Sequence, residues 1–329
     1  MVKRYYLSSR TNLHQQKHFS IIAAILALGL VLPLAWTTET SAAKQKAEDP
    51  NADEIAEGPP EPENMDLQTV DGLTLSATFY PGTNGKDTVP IILIHMWKGN
   101  RNEYASLAPY LQSMGHAVLV PDMRGHGDSK IRRNLSRELD ASKMPSSEFQ
   151  RMVTYDMEAM KSFLIEKNNA GKLNIEKLCI VGAEMGASVA LDWARLDWSW
   201  PILATGKQGQ DVKALVLISP QWSFRGLPLK AALADPRIRR DLSILILCGG
   251  GTPKAVREAK RLHSTFKKFH PDSGKNGDKS LFYGALKTSL QGTKLLSVES
   301  LRVNEIVARF IDLRLAKQRI PWKKRVPPI

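Results

Sequence analysis

The sequence contains little cysteine. Cys179 and Cys248 are the only two in 329 residues, and each falls in a short apolar run that is typical of a buried strand. Two such residues provide neither a disulfide framework nor a set of metal ligands. His, Cys, Asp and Glu residues do not have ligand spacing anywhere in the chain, so we expect no metal and no other cofactor. We interpret the two cysteines as buried apolar thiols.

Internal repeats and specific nucleic-acid-binding motifs are also absent from the sequence, although the chain is basic, with a formal net charge of +13. Such a charge suits contact with a polyanionic surface, such as an envelope polymer, anionic lipid or nucleic acid. A solvated surface that keeps the protein soluble is the other interpretation. The charge alone therefore leaves the partner unknown.

The first 64 residues do not have the composition of a folded core. Residues 1–43 place basic residues before an apolar run, residues 19–36, and end in small residues, which is the organisation of a signal peptide. The run is also about as long as the shortest membrane span, roughly 18 residues, so retention as a membrane anchor is the alternative. Residues 44–64 are acidic and proline-rich, which predicts a disordered linker. Both alternatives predict an extracytoplasmic body, either secreted or periplasmic, or anchored through residues 19–36.

Beyond the linker, short apolar runs alternate with longer helical patterns, which indicates a mostly parallel sheet covered by helices. The dipeptide Asp71-Gly72 predicts a hairpin between the first two strands, and residues 89–95 predict a central strand. We expect one domain over residues 65–318 and a basic tail over residues 319–329. The tail contains a tryptophan among basic residues, so it is either solvated or in contact with an anionic membrane surface.

The segment around Glu184 has the pattern of a strand that enters a helix through a tight turn. The turn reads Gly182-Ala183-Glu184-Met185-Gly186. In the nucleophile elbow of hydrolases, the middle residue of a Gly-x-Nuc-x-Gly turn is a serine on a strained strand-to-helix junction. Both glycines are present here, but the middle residue is a glutamate.

Two further segments strengthen this resemblance. Residues 92–97, ILIHMW, resemble the strand end that supplies an oxyanion-hole amide in the α/β-hydrolase fold superfamily, and residues 120–129, VPDMRGHGDS, resemble the Asp-x-Arg-Gly-x-Gly-x-Ser segment of that family. The chain resembles the esterase, dienelactone-hydrolase and serine-aminopeptidase members over residues 65–316. The resemblance implies an α/β-hydrolase fold, with about eight mostly parallel strands, helices on both faces and no large lid domain.

The same resemblance implies a nucleophile, an acid after a late strand and a histidine before the last helix. Those positions are occupied by Glu184, Thr252 and Gln291. Acyl transfer requires a base that removes the proton from serine and an acid that orients the base. Glutamine is not a base near neutral pH, and threonine cannot orient an imidazole as a carboxylate does. We therefore expect a non-catalytic homologue, a pseudo-hydrolase, that binds a small molecule or an envelope partner.

The role of Glu184 remains open between two interpretations. In the structural one, its carboxylate fills the oxyanion-hole-like site and accepts hydrogen bonds from the amide of Met185 and from that of Met96 or Trp97. In the chemical one, the protein is an active hydrolase that uses Glu184 in a new role on an ester, an amide, or a carbon–halogen or epoxide substrate. Relatives that cleave carbon–halogen bonds or epoxides have aspartate at this turn.

Three further residues are candidates for a cleft. His95 and His126 follow the carboxyl ends of strands, where ligands bind in open α/β sheets. His95 either forms an acid/base couple with Glu184 or is a strand-end histidine that bonds to the neighbouring loop. Trp222 either lines the cleft or packs beneath a loop.

Overall fold

The computed structural model describes residues 58–133, 138–204, 206–270 and 279–325. All of these residues belong to one compact unit. The predicted signal peptide or anchor, residues 1–43, and most of the predicted linker lie outside the described residues. In the part of the chain that the structure describes, no helix is long and apolar enough to cross a membrane.

The described residues form a mixed sheet with helices on both faces. In chain order the strands are β1 (Glu63–Gln68), β2 (Thr74–Tyr80), β3 (Pro90–Ile94), β4 (Ala117–Pro121), β5 (Leu178–Ala183), β6 (Ile202–Leu203), β7 (Gly206–Lys207), β8 (Val212–Ile218), β9 (Ser223–Phe224), β10 (Leu227–Pro228), β11 (Ser243–Gly249) and β12 (Leu281–Leu286). The α-helices are α1 (Leu107–Ser113), α2 (Ser146–Arg151), α3 (Met157–Asn169), α4 (Met185–Ser199), α5 (Lys230–Ala234), α6 (Pro236–Arg240), α7 (Pro253–Lys267) and α8 (Val303–Ile311).

The main sheet has eight strands in the order β1-β2-β4-β3-β5-β8-β11-β12. Strand β2 is antiparallel to both of its neighbours, and the remaining pairs are parallel. The carboxyl ends of the parallel strands therefore meet at one edge, which we call the carboxyl edge, and their first residues lie at the opposite, amino edge. The predicted hairpin at Asp71-Gly72 and the predicted central strand, observed as β3, are both confirmed.

The core is divided between the two faces of the sheet, as the alternation of side chains along a strand requires. In β5, Ile180 packs on the face that carries α4, whereas Cys179 packs on the face that carries α1 and α8. Cys248 on β11 packs on the same face as Ile180. The two thiols are buried, free and on opposite faces of the sheet, so the prediction that they are apolar core residues is confirmed.

The described part of the tail, residues 319–325, is bound to the body, so the solvated interpretation is wrong for it. Arg325 is 4% exposed, and its guanidinium pairs with the carboxylates of Glu176 and Asp211 at 2.8 and 3.0 Å. The side-chain amides of three asparagines bond to the tail backbone: Asn174 to Ile320 O at 2.9 Å, Asn168 to Lys323 O at 3.0 Å, and Asn169 to Arg325 O at 2.8 Å.

Candidate functional site

The turn between β5 and α4 has the strained geometry that the sequence predicts. Glu184 has φ +48°, which is rare for a residue with a side chain. A Cβ added at Gly186 would collide with the carbonyl oxygen of Ile94 on β3, and one added at Gly182 would collide with the carbonyl oxygen of Gly186. Both glycines are therefore required for α4 to start this close to the sheet.

The carboxylate of Glu184 lies at the carboxyl edge. It accepts no hydrogen bond within the described residues and does not cap α4, so it does not bind the Met185 or Met96 amide as expected. The Cβ position of Gly292 is 3.2 Å from Glu184 Oε1, which places the carboxylate against that backbone. Burial raises the pKa of Glu184, and the nearby Lys294 ammonium partly offsets this.

The carboxylate of Glu103 binds the amide where the sequence predicts an oxyanion-hole donor. Met96 N donates to Glu103 Oε2 at 3.2 Å, and the carboxylate packs against the backbone of Gly99. Burial raises the pKa of Glu103, and the charge of Glu184 raises it further. Two partly buried carboxylates therefore lie near the same turn, with Lys294 acting on both.

Sequence reasoning did not identify Glu103. The available signal was its position near the start of the helical pattern that follows the β3 strand end. The other predicted donor residue, Trp97, has its ring 4.2 Å from the guanidinium carbon of Arg225, and its indole Nε1 donates to Ala141 O at 3.3 Å.

Gln291 joins the ends of two neighbouring strands. Its side-chain oxygen accepts from Ser219 Oγ at 2.7 Å and from Gly249 N at 3.2 Å, and its Nε2 donates to Gly249 O at 2.9 Å. Ser219, the residue after β8, has φ +49°, and its Oγ also accepts from Gly292 N at 2.9 Å. The amide of Gln291 is therefore used to hold β8, β11 and the following loop together.

Glu184, Thr252 and Gln291 are brought together at one cavity of about 160 Å³ at the carboxyl edge. Thr252 Oγ1 donates to Ser289 O at 3.0 Å. The cavity is lined by Glu184, Ser219, Pro220, Gln221, Thr252, Lys254, Ala255, Glu258 and Gln291. Three positions that are far apart in sequence are thus adjacent in space, as the resemblance implies.

His95 and His126 do not contribute to this cavity. Both ring nitrogens of His95 bind backbone groups: Nε2 accepts from Met123 N at 3.0 Å, so Nδ1 carries the proton and donates to Met96 O at 2.7 Å. Burial lowers the pKa of His95 to about 3, which keeps it neutral. Nδ1 of His126 lies 2.9 Å from Arg124 O, and burial lowers the pKa of His126 also. The proposed couple between His95 and Glu184 is not formed, and the alternative of a strand-end histidine bonded to its loop is the observed one.

Trp222 is also outside the residues that line the cavity. It is half-buried and packs against the core, and the guanidinium carbon of Arg261 lies 3.5 Å from its ring centroid. Of the two interpretations, packing matches the observed contacts. Within the described residues, no group of three His, Cys, Asp or Glu side chains is arranged to hold a metal ion.

The sheet order and the strained Gly-x-Glu-x-Gly junction beside a strand-end amide define an α/β-hydrolase-fold protein, which confirms the predicted fold. Residues 89–242 match the family described as alpha/beta hydrolase fold. Two uncharacterized proteins from strains of Mycobacterium tuberculosis are each 25% identical to this chain over 200 residues, which is 56% of this chain. The chain spans about 59% of the length of these curated relatives.

Solved structures of hydrolases share the fold. The esterase Pf2001 from Pyrococcus furiosus aligns with a TM-score of 0.52 at 16% identity, covering 78% of this chain and 92% of the esterase. A dienelactone hydrolase from Anabaena variabilis aligns with a TM-score of 0.52 at 12% identity, covering 77% of this chain and 99% of that protein. At these identities, the similarity concerns the fold alone.

Proposed function

We propose that this protein is a non-catalytic α/β-hydrolase-fold protein that binds a small polar ligand in the cavity beside Glu184. The observation that carries the proposal is the hydrogen bond from Met96 N to the Glu103 carboxylate. An oxyanion hole works because preorganised donors await a developing negative charge. A donor that already binds a carboxylate is not available for that purpose.

The other positions that a serine hydrolase needs for catalysis are also occupied by groups that cannot perform it. A serine nucleophile needs an adjacent base, and the base needs a third group that orients it. Glu184 replaces the hydroxyl, and the amide of Gln291 is engaged with Ser219 and Gly249. His95 has no free nitrogen with which to take up a proton. These contacts support a site in which Ser-His-Asp catalysis has been replaced by structural hydrogen bonds.

The chemistry of the cavity favours a ligand that donates hydrogen bonds. Glu184 provides an acceptor without a hydrogen-bond partner among the described residues, and a buried acceptor without a donor is costly. Lys254 and Glu258 line the same cavity with charges of opposite sign. A compact molecule with an ammonium, amide or hydroxyl group fits this volume and polarity.

To test whether catalysis has been lost, the purified natural chain is compared with the Glu184→Ala variant. We expect no labelling by a fluorophosphonate and no hydrolysis of short-chain nitrophenyl esters, an epoxide or a haloalkane above the rate of the variant. Turnover by the natural chain that disappears in Glu184→Ala would overturn the proposal.

Ligand binding is tested separately by thermal unfolding in the presence of small amines, such as ethanolamine. A rise in Tm that is absent in Glu184→Gln, a variant of nearly the same shape, supports the proposed site. If the two proteins respond equally to every compound, Glu184 is not the ligand-binding group.

An active hydrolase is the second candidate, and the carboxylate pair favours it. Burial raises the pKa values of Glu103 and Glu184, and a carboxyl group whose pKa is raised toward neutral pH is better suited to act as a general acid or base. This candidate requires turnover that depends on both groups, with a pH–rate profile that changes in Glu103→Gln and in Glu184→Gln. A rate that survives in either variant excludes the pair as the catalytic machinery.

We also propose that the protein acts outside the cytoplasm, on the basis of the charge and hydropathy pattern of residues 1–43. Mass analysis of the protein from its native cell distinguishes a cleaved signal peptide from a retained membrane anchor, because cleavage after the small residues removes the apolar run. A fusion of a periplasmic reporter enzyme to the C-terminus tests the compartment. Activity only in the cytoplasm would contradict the proposal.

A further inference from the structure

A short hairpin at the amino edge presents large apolar side chains to solvent. Strands β6 and β7 are antiparallel, and Trp200, Ile202 and Leu203 are 46%, 66% and 44% exposed. The indole Nε1 of Trp198, near the end of α4 and four residues before the hairpin, donates to Val212 O at 2.9 Å. Because Val212 is the first residue of β8, this contact fixes the hairpin at the amino edge of the sheet.

The bound tail lies beside this hairpin. Lys207 of β7 and Arg325 of the tail pair with the same two carboxylates, those of Glu176 and Asp211. Glu176 lies two residues before β5 and Asp211 immediately precedes β8, so all four charges lie at the amino edge. The hairpin and the tail are therefore linked through one buried ion-pair network.

Exposed cations surround the apolar side chains at this edge. Lys323 and Lys324 belong to the bound tail, and the ammonium of Lys86 lies 4.3 Å from the ring centroid of Trp322. The exposed basic side chains of the edge are Lys86, Lys172, Arg319, Lys323 and Lys324. Exposed carboxylates of Glu61, Glu63 and Asp87 also lie at this edge, and that of Asp87 is 3.7 Å from Lys177 Nζ. The five exposed basic side chains outnumber these three carboxylates, so the net charge of these exposed groups is positive.

The described chain also begins at the amino edge. Strand β1 runs in the direction of the parallel strands and starts at Glu63. Just before it, Pro60 O accepts from the side-chain amide of Gln112, near the end of α1, at 2.7 Å. The apolar run at residues 19–36 ends about two dozen residues before this point in the sequence.

We infer that the amino edge binds the surface of an anionic lipid bilayer, with the hairpin tip in the interfacial region. Tryptophan favours the membrane–water interface, and exposed aliphatic residues gain free energy when they enter it. Each lysine or arginine near an anionic leaflet adds about 1 kcal/mol, so the exposed basic residues reinforce the apolar contact. In this orientation, the cavity at the carboxyl edge faces the aqueous phase. The inference does not depend on whether the cavity is catalytic.

The two buried thiols make a site-specific test practical. Because Cys179 and Cys248 are fully buried, an introduced surface cysteine is labelled selectively with an environment-sensitive nitrobenzoxadiazole dye. The first labelled variant is Ala204→Cys, next to the apolar tip, and the matched control is Ser300→Cys on the opposite side of the sheet. Both positions are exposed, so neither label disturbs the core.

The full chain is reconstituted with vesicles of phosphatidylcholine, with or without phosphatidylglycerol. We expect a blue shift of the dye at position 204, and quenching by nitroxide-labelled lipid, in the anionic vesicles only. The dye at position 300 keeps the spectrum that it has in buffer. Equal responses at the two positions, or a stronger response at 300, would overturn the inference.

Two further variants separate the apolar contribution from the charges. Ile202→Ser combined with Leu203→Ser removes the tip, and Lys323→Ala combined with Lys324→Ala removes two cations; each pair should weaken quenching at position 204. The Ile202→Ser/Leu203→Ser variant should lose most of its remaining response in high salt, because screening shortens electrostatic range, whereas the Lys323→Ala/Lys324→Ala variant should be less sensitive to salt. A response that is the same in neutral and anionic vesicles would contradict the role of anionic lipid.

Discussion

Glu103 binds the backbone amide of Met96, with Oε2 3.2 Å from the amide nitrogen. Met96 lies two residues after β3, and Glu103 lies in the short helical turn that precedes α1. This contact occupies the predicted oxyanion-hole donor with a side chain of the protein itself, and its energetic contribution can be measured directly.

Two substitutions of Glu103 should distinguish the contribution of its hydrogen bond to stability from the effect of its charge. Glu103→Ala leaves the Met96 amide without an acceptor, which should lower the free energy of unfolding by about 1–3 kcal/mol. Glu103→Gln keeps an acceptor oxygen and removes the repulsion with Glu184, so its loss should be smaller. Urea unfolding at neutral pH measures both. Equal losses in the two variants would show that the amide contact contributes nothing.

Glu184→Gln should stabilise the protein at neutral pH. Burial raises the pKa of Glu184 above its ordinary value of 4.5, so the folded state keeps a proton that the unfolded chain has lost. Stability therefore falls as pH rises from 4.5 through the raised pKa, and it stays lower above that range. The variant avoids this loss, and its advantage should disappear below pH 4.5.

A matched control for this effect is Glu305→Gln. The hydrogen bond from Arg302 lowers the pKa of the exposed Glu305, which is the opposite direction, so its substitution should not raise Tm at neutral pH. Thermal unfolding of both variants between acidic and neutral pH provides the comparison. If the Tm values of the two variants depended on pH in the same way, burial of Glu184 would not be the cause of the stabilisation.

Acid should destabilise the protein through buried histidines. Burial lowers the pKa of His95 to about 3 and that of His116 to about 4, below the ordinary 6.5. The unfolded chain therefore binds protons that the folded state does not, and stability falls as pH drops below 6.5. Each histidine contributes up to about 1.4 kcal/mol per pH unit in that window.

His116→Leu tests this dependence, because His116 is 3% exposed and its ring nitrogens have no hydrogen-bond partner in the described residues. The variant should flatten the decline in unfolding free energy between pH 6 and pH 4, relative to the natural chain. Urea titrations at several pH values measure the slope. An unchanged slope would assign the acid sensitivity to other groups.

Gly186→Ala should prevent normal packing of α4. The added Cβ would collide with the carbonyl oxygen of Ile94, and neither backbone can move without displacing a central strand. We expect a loss of at least about 3 kcal/mol or an insoluble protein. Gly58→Ala is the control, because a Cβ there has no neighbour within 4 Å. Similar stability of the two variants would contradict the tight turn.

Arg325→Ala should destabilise the body although the residue lies in the tail. Its removal leaves the buried carboxylates of Glu176 and Asp211 with fewer cations, which should cost about 2–4 kcal/mol. Lys324 is the preceding residue and is exposed, so Lys324→Ala should change stability by less than about 0.5 kcal/mol. Guanidinium unfolding of the two variants compares them. Equal unfolding free energies for the two variants would mean that the ion pairs of Arg325 do not stabilise the body.

Much of the fold could be predicted because local patterns and global structure agree. The apolar runs that became β3 and β5 are uniform enough to predict buried strands, and the paired glycines around Glu184 predicted a turn that admits a close helix. Order along the chain alone does not determine the neighbours, because β2 pairs with β4 and not with β3. The resemblance to the α/β-hydrolase fold is what implied that Glu184, Thr252 and Gln291 lie around one cavity.

The partners of these residues could not be predicted, because they depend on side chains from distant elements. Nothing near Gln291 in sequence indicates a bridge to Ser219, which is 72 residues earlier. The bond from Met96 to Glu103 likewise depends on how the segment after β3 folds back. The bound tail was missed because its asparagine partners, around residues 168–174, have no periodic pattern.

The place of β12 as the last strand of the described sheet has a consequence for handling the protein. An outer strand leaves backbone donors and acceptors along one side, and the sequence LFYGAL has high β-propensity. Lys279 and Lys287 flank it closely and repel a second copy of the same strand. Concentrated samples should therefore stay monodisperse at low ionic strength and begin to self-associate, strand against strand, when salt screens these two charges.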